Sequence, residues 1–146
     1  NNIALRPIDI GVGISQVLPI IVASLYYNEG ILAFEQPELH IHPALQVELG
    51  DLILSQISDN DICFLLETHS EHLLLRIMKR LRQVFEGDYN NINLINNNIS
   101  ANDVSVLYVE LHNGNTIARK MPINEKGELV KSWPGGFFEE ALQEVF

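Results

Sequence analysis

The chain has one cysteine, few cations and no long apolar run, and each shortage excludes something. A lone Cys63 rules out an internal disulfide. Its place in an apolar run reads as a buried core thiol in a reducing compartment. Nine Lys and Arg stand against nineteen Asp and Glu, a formal net charge of −10. That balance argues against nucleic-acid binding through this acidic piece, because phosphate backbones need clustered positive charge. No stretch approaches the roughly 18 apolar residues of a membrane span; Val17–Tyr27 is too short and carries Pro19. No signal-peptide pattern opens the chain. A cytoplasmic protein without a membrane partner is therefore expected. The first residue is Asn1 rather than Met, which reads as a processed or truncated piece of something longer.

What is present suits a globular fold. With 146 residues, 47% apolar and 19% charged, the chain is long enough for one domain, 1–146, with its own core. Gly11-Val12-Gly13 leads into a helix over Ile14–Tyr27, with apolar residues at 14, 17, 18, 21 and 25 on one face. Pro19 should kink or restart it. Ile31–Glu35 and Ile62–Glu67 read as buried strands. Between them lies a helix from Pro43 to Ser58 with Leu45, Leu49, Leu52, Ile53 and Ile57 along one side. Thr68-x-x-Glu71 has the form of a capping box, opening a third helix to about Phe85. Arg76, Lys79, Arg80 and Arg82 on that helix read as its solvated face, with a partner or anion surface as the alternative.

Residues 86–103 read as a loop. Val104–Leu111 and Thr116–Met121 flank His112-Asn113-Gly114-Asn115, a hairpin turn. Trp133–Phe138 reads as a turn covering the sheet, with a docking site as the alternative, followed by a short acidic helix. The order predicts an α/β fold: a mostly parallel sheet flanked by helices, its strands joined by a right-handed crossover, with a C-terminal β-hairpin.

Both expected parallel strands end in polar clusters, Glu35-Gln36-Pro37-Glu38 and Glu67-Thr68-His69-Ser70. The ligand crevice of an open α/β sheet lies outside such strand ends. Mg²⁺ is commonly held by one or two carboxylates plus phosphate oxygens, and a nearby histidine can polarise a phosphate. The plainer account of Glu35 and Glu67 is favourable placement of anions near helix N-termini. His40-x-His42 and His69-x-x-His72 could offer four metal nitrogens, but their spacing fits no tight zinc pattern. His72, at a helix start, is expected to face solvent or pack.

ILAFEQPELHIHP (Ile31–Pro43) resembles the Walker B segment and D-loop of ABC-type ATPase heads, in the AAA-family branch that includes SMC-like and OLD-like proteins. IGVGISQVLPII (Ile10–Ile21) resembles the signature motif of those heads, and LLETHS (Leu65–Ser70) their switch strand and histidine. The three motifs occur in family order. NGNTIARKMPINEKGELVKSWPGGFFEEAL resembles the C-terminal tail, of unknown function, of a bacterial subgroup.

The resemblance implies part of a P-loop NTPase head of the ABC type. It gives Glu35 the Mg²⁺, through water, and His69 the γ-phosphate. It gives His42 a D-loop position facing the partner subunit. Gly11, Gly13 and Ser15 fall in the signature loop, where backbone N–H groups at a helix N-terminus favour an anion; a plain turn is the alternative for the two glycines.

Two departures stand out. Gln36 occupies the place of the glutamate that orients the attacking water, and an amide cannot take up a proton. Either Glu38 serves instead or hydrolysis is slow. Gly11 occupies the place of the usual serine, with Ser15, one turn later, as substitute. G-x-x-x-x-G-K-[ST] is absent from these residues; in the family it lies upstream. The expectation is the C-terminal lobe of a head that binds Mg²⁺ and ATP, pairs with a second head and gates a nuclease or other effector. This lobe would not hydrolyse ATP unaided. The alternatives are a non-hydrolytic protein-interaction module and a metal-dependent phosphoesterase built on the four histidines.

Overall fold

The computed structural model describes residues 11–88 and 99–134. The opening residues, most of the expected 86–103 loop, the end of the Trp133–Phe138 turn and the expected closing helix lie outside them. The described elements are α1 (Val12–Tyr26), β1 (Glu29–Glu35), α2 (Pro43–Asp59), β2 (Asp61–Glu67), α3 (Glu71–Glu86), a short 3₁₀ turn (Ala101–Asp103), β3 (Val106–His112) and β4 (Asn115–Met121). Strands β1 and β2 pair in parallel from Glu29↔Asp61 to Glu35↔Glu67, and β3 and β4 form the antiparallel hairpin.

Local chemistry explains most element ends. Nδ1 of His42 accepts a hydrogen bond from Ala44 N at 3.2 Å, and Pro43 fills the first helical position of α2. The start of α3 differs from expectation by two residues. Its cap is Ser70, whose hydroxyl accepts from Leu73 N at 2.9 Å, while Thr68 is drawn into the preceding turn by accepting from Ser70 N. Gly87, in the left-handed conformation, closes α3. Asn113 and Gly114, with φ of 50° and 78°, make the two-residue turn between β3 and β4. Helix α1 neither ends nor restarts at Pro19; it runs through it as one element.

The core gathers Ile41, Leu49, Ile53 and Leu54 with Leu73, Ile77 and Leu81 of α3, and Ile99 joins it. Val17 and Ile20 of α1, Phe64 and Leu66 of β2, and Val104 and Ile123 pack against it. Leu45, expected on the inner side of α2, is instead exposed.

Two expectations about burial are corrected. Arg76 and Arg80 are not a solvated face. Both chelate Asp51 of α2 at 2.6–2.9 Å, and Asp51 is only 4% exposed. The helix carries these cations on the side facing α2, where a carboxylate meets them. Burial works against ionisation of Asp51, but hydrogen bonds from Arg80 and then Arg76 outweigh it and hold the carboxyl below its usual range. The second correction concerns the parallel strands, expected to be buried on both faces. Leu32, Phe34, Ile62, Phe64 and Leu66 alternate inward, but Ile31, Ala33, Cys63 and Leu65 are exposed on the other side, Ile31 at 72%. Cys63 is thus a surface thiol. An unbroken apolar run encodes cover on both faces, and these helices cover one.

The hairpin region is seated on α3. Asn124 organises a tight turn, its side chain accepting from Lys126 N and Glu128 N. Gly127 of that turn lies so close to α3 that an added Cβ would sit 2.4 Å from the Met78 carbonyl oxygen. No helix of the described residues is long and apolar enough to cross a membrane.

Candidate functional site

The carboxyl ends of β1 and β2 open onto an irregular segment each, and a cleft of about 500 Å³ lies between those segments. Gln36, Glu38 and His40 line it from the first, and His69, Ser70 and His72 from the second. Gln36 turns the chain out of β1: its φ is +47°, while its N–H donates to the Glu67 carbonyl at 2.8 Å and prolongs the parallel ladder. His40 has φ of +62°, so the segment reverses sharply before α2.

Two side chains tie the strand tips together. Oε1 of Glu38 accepts from the backbone N–H of His69 at 2.8 Å. The hydroxyl of Ser70 donates to Oε1 of Gln46 at 2.7 Å, and Nε2 of Gln46 donates to the Ile41 carbonyl at 3.1 Å. Glu38 is 8% exposed, and its Oε2 is buried without a hydrogen-bond partner. Gln46 carried no signal in the sequence. Its place one turn into an amphipathic helix looks like any solvated position, and only the fold brings it beside Ser70.

Glu35 is not in the cleft. With Glu67, its register neighbour, it projects on the uncovered face of the strand pair, and no cation forms an ion pair with either among the described residues. The same pairing of acids occurs at the opposite end, Glu29 beside Asp61. Acid pairing alone therefore marks nothing; what distinguishes Glu35 and Glu67 is their place at the carboxyl edge, where the crevice of an open α/β sheet lies. Two adjacent carboxylates without a cation fit the sparse protein ligation of Mg²⁺, whose remaining sites go to water and phosphate. Among the described residues no three His, Cys, Asp or Glu gather around one point as a metal site, so the four histidines do not form a zinc cage. His42 is occupied as the cap of α2; His40, His69 and His72 share the cleft without converging.

The expected signature residues lie at the start of α1. Gly11 has φ of +102° and open space around it. Gly13 faces a different demand. An added Cβ would lie 2.3 Å from the His40 carbonyl oxygen, so the first turn of α1 rests directly on the segment that leaves β1. The hydroxyl of Ser15 donates to the Gly11 carbonyl at 3.1 Å. The structure thus brings the α1 start, the Gln36–His42 segment and the His69 segment into one contiguous array.

Comparison with known families follows the same division of the chain. Residues 7–74 match the AAA ATPase domain, and residues 99–146 match a protein family of unknown function, DUF3696. No curated protein and no solved structure matches the chain. The first match spans α1 through the start of α3, including the whole cleft, and the second begins at Ile99 and spans the hairpin. The chain therefore joins a segment similar to an AAA ATPase domain to a C-terminal segment similar to a family of unknown function.

Proposed function

We propose that this chain is the C-terminal part of an ABC-type ATPase head that binds Mg²⁺ and ATP with a second head and uses turnover to gate an effector, such as a nuclease. The observation that carries the reading is the cleft at the carboxyl edge of a parallel strand pair, lined by Gln36 and His69 and abutted by the start of α1, with Glu35 at the adjoining strand tip on the uncovered face. Glu35 is the residue to hold the metal through water, with Glu67 beside it. Bound Mg²⁺ supplies neutralising charge for the phosphates. His69 donates to the γ-phosphate, and the N–H groups at the start of α1, around Gly11 and Gly13, face nucleotide on the opposite head, with Ser15 holding that turn through the Gly11 carbonyl. His42, at the cap of α2, belongs to the surface between heads. The phosphate loop comes from upstream of this chain. The cell compartment that fits is the cytoplasm.

Gln36 stands where a general base would act and cannot accept the water's proton. The head is therefore a slow ATPase whose ATP-bound pairing is long-lived. In the intact protein, His69→Ala lowers ATP turnover about 100-fold, as for loss of an electrostatic donor in other enzymes; unchanged turnover would remove His69 from the site. Gln36→Glu raises turnover about 100-fold, the low end of what a base supplies. Gln36 is also the observation that favours a second reading, a non-hydrolytic interaction module on an ATPase-like scaffold. Tight ATP binding with no turnover in either the wild type or Gln36→Glu would decide for that module.

A further inference from the structure

We propose that Glu38 is a positioning residue that sets His69 for the nucleotide and couples it to the start of α1. The inference rests on the ATPase reading for its purpose, but the strut itself stands on geometry. Two roles compete for this carboxylate, replacement of the base missing at Gln36 and restraint of the neighbouring segment. A base must reach a water in the cleft. Oε2 is buried with no partner, and Oε1 is already held by the His69 N–H at 2.8 Å. Oε1 is engaged and Oε2 is closed to solvent, so neither meets a water in the cleft, and restraint is the role that fits.

The restraint reaches in two directions. On one side it fixes the backbone of His69, which lines the cleft and precedes the Ser70 cap of α3. On the other, Glu38 sits in the short reversal between Gln36 and His42, where the Leu39 N–H bonds the Gln36 carbonyl and the Ile41 N–H bonds the Glu38 carbonyl. That reversal carries the His40 carbonyl on which Gly13 of α1 rests. A displacement of the α1 start therefore bears on the His40–Ile41 peptide, whose N–H bonds the Glu38 carbonyl, and through Glu38 on His69. The link from Gln46 to Ser70 runs alongside and braces the cap, but it does not touch His69. A charged acceptor gives a stronger bond to a backbone N–H than a neutral one, while an amide of the same shape still offers an oxygen.

The test compares Glu38→Ala and Glu38→Gln in the intact protein, reading ATP turnover and deuterium uptake by peptides spanning the His69 segment. Glu38→Ala is expected to lower kcat about 10- to 100-fold, the effect of a misplaced reacting group, with KM for ATP within about twofold of wild type. Deuterium uptake at His69 should rise in the same variant. Glu38→Gln keeps the acceptor and should restore slow uptake, with kcat within about threefold of wild type. Glu38→Gln as inactive as Glu38→Ala, with uptake still slow, overturns positioning and makes the carboxylate the base. Unchanged uptake in Glu38→Ala overturns the strut. If wild-type protein shows no turnover, the ATPase reading fails on its own, and uptake alone still decides whether Glu38 holds His69.

Discussion

At the scale of single residues, the sharpest disagreement between pattern and structure is also the best test of the scaffold. Helical periodicity alone puts Arg76 and Arg80 on a polar face, and nothing in their spacing reveals that Asp51, on another helix, faces them. Bidentate bonds from both guanidiniums satisfy that carboxylate. Its loss would leave Arg80, 8% exposed, and the partly covered Arg76 without their counter-charge. Asp51→Ala should therefore cost about 3–5 kcal/mol, the typical penalty for breaking a buried pair, measured by denaturant unfolding of the intact protein. The pH dependence has a definite sign. The Asp51 carboxyl lies below its ordinary 3.8 in the folded state, so the unfolded chain binds its proton more readily. Its contribution is complete above that ordinary value and is lost as pH falls through the lower, folded one. Unfolding curves taken from about pH 5 downward should show a steeper loss for wild type than for Asp51→Asn.

At the scale of elements, strong local signals translated well. Pro43 at a helix start, Asn113-Gly114 between alternating strands, and two apolar runs separated by a helix all led to the elements observed. Each is governed by a few neighbouring residues. The polar clusters at the two strand tips were legible for the same reason. The connections between them were not, because Glu38–His69 spans 31 positions and Ser70–Gln46 spans 24. The start of α3 shows the limit of a local rule: Thr68 and Ser70 could both cap, and Thr68 gave way because its hydroxyl is taken by the turn. How the hairpin region attaches was likewise hidden in one glycine. At Gly127, φ is +70° and an added methyl would meet the Met78 carbonyl oxygen and the Arg82 N of α3. Gly127→Ala combines a left-handed backbone with overpacking, together about 2–4 kcal/mol. Deuterium uptake across β3 and β4 should rise more than uptake across β1 and β2. Equal rises in both would mean that the seat on α3 is not what holds the hairpin.

At the scale of the molecule, the bare face of the parallel pair carries the most consequence. Ile31 and Leu65 are 72% and 63% exposed on it, and Glu35 and Glu67 lie along the same side. Apolar residues grouped this way on a soluble surface mark contact with something else. On the proposed architecture, the remainder of the head covers them and brings the phosphate loop to the acids at the strand tips. That arrangement gives opposite outcomes in two settings. Expressed alone, the 146-residue chain should self-associate through this face, and Ile31→Lys with Leu65→Glu, which adds one charge of each sign, should return it to a monomer in light scattering. In the intact protein the same pair of substitutions places charges in an apolar contact, a costly burial unless they find partners, and should lower the melting temperature and abolish ATP binding together. A monomeric wild-type chain, combined with an intact double variant that melts and binds as wild type does, would make the face a free surface. The acids at its edge would then belong to no metal site.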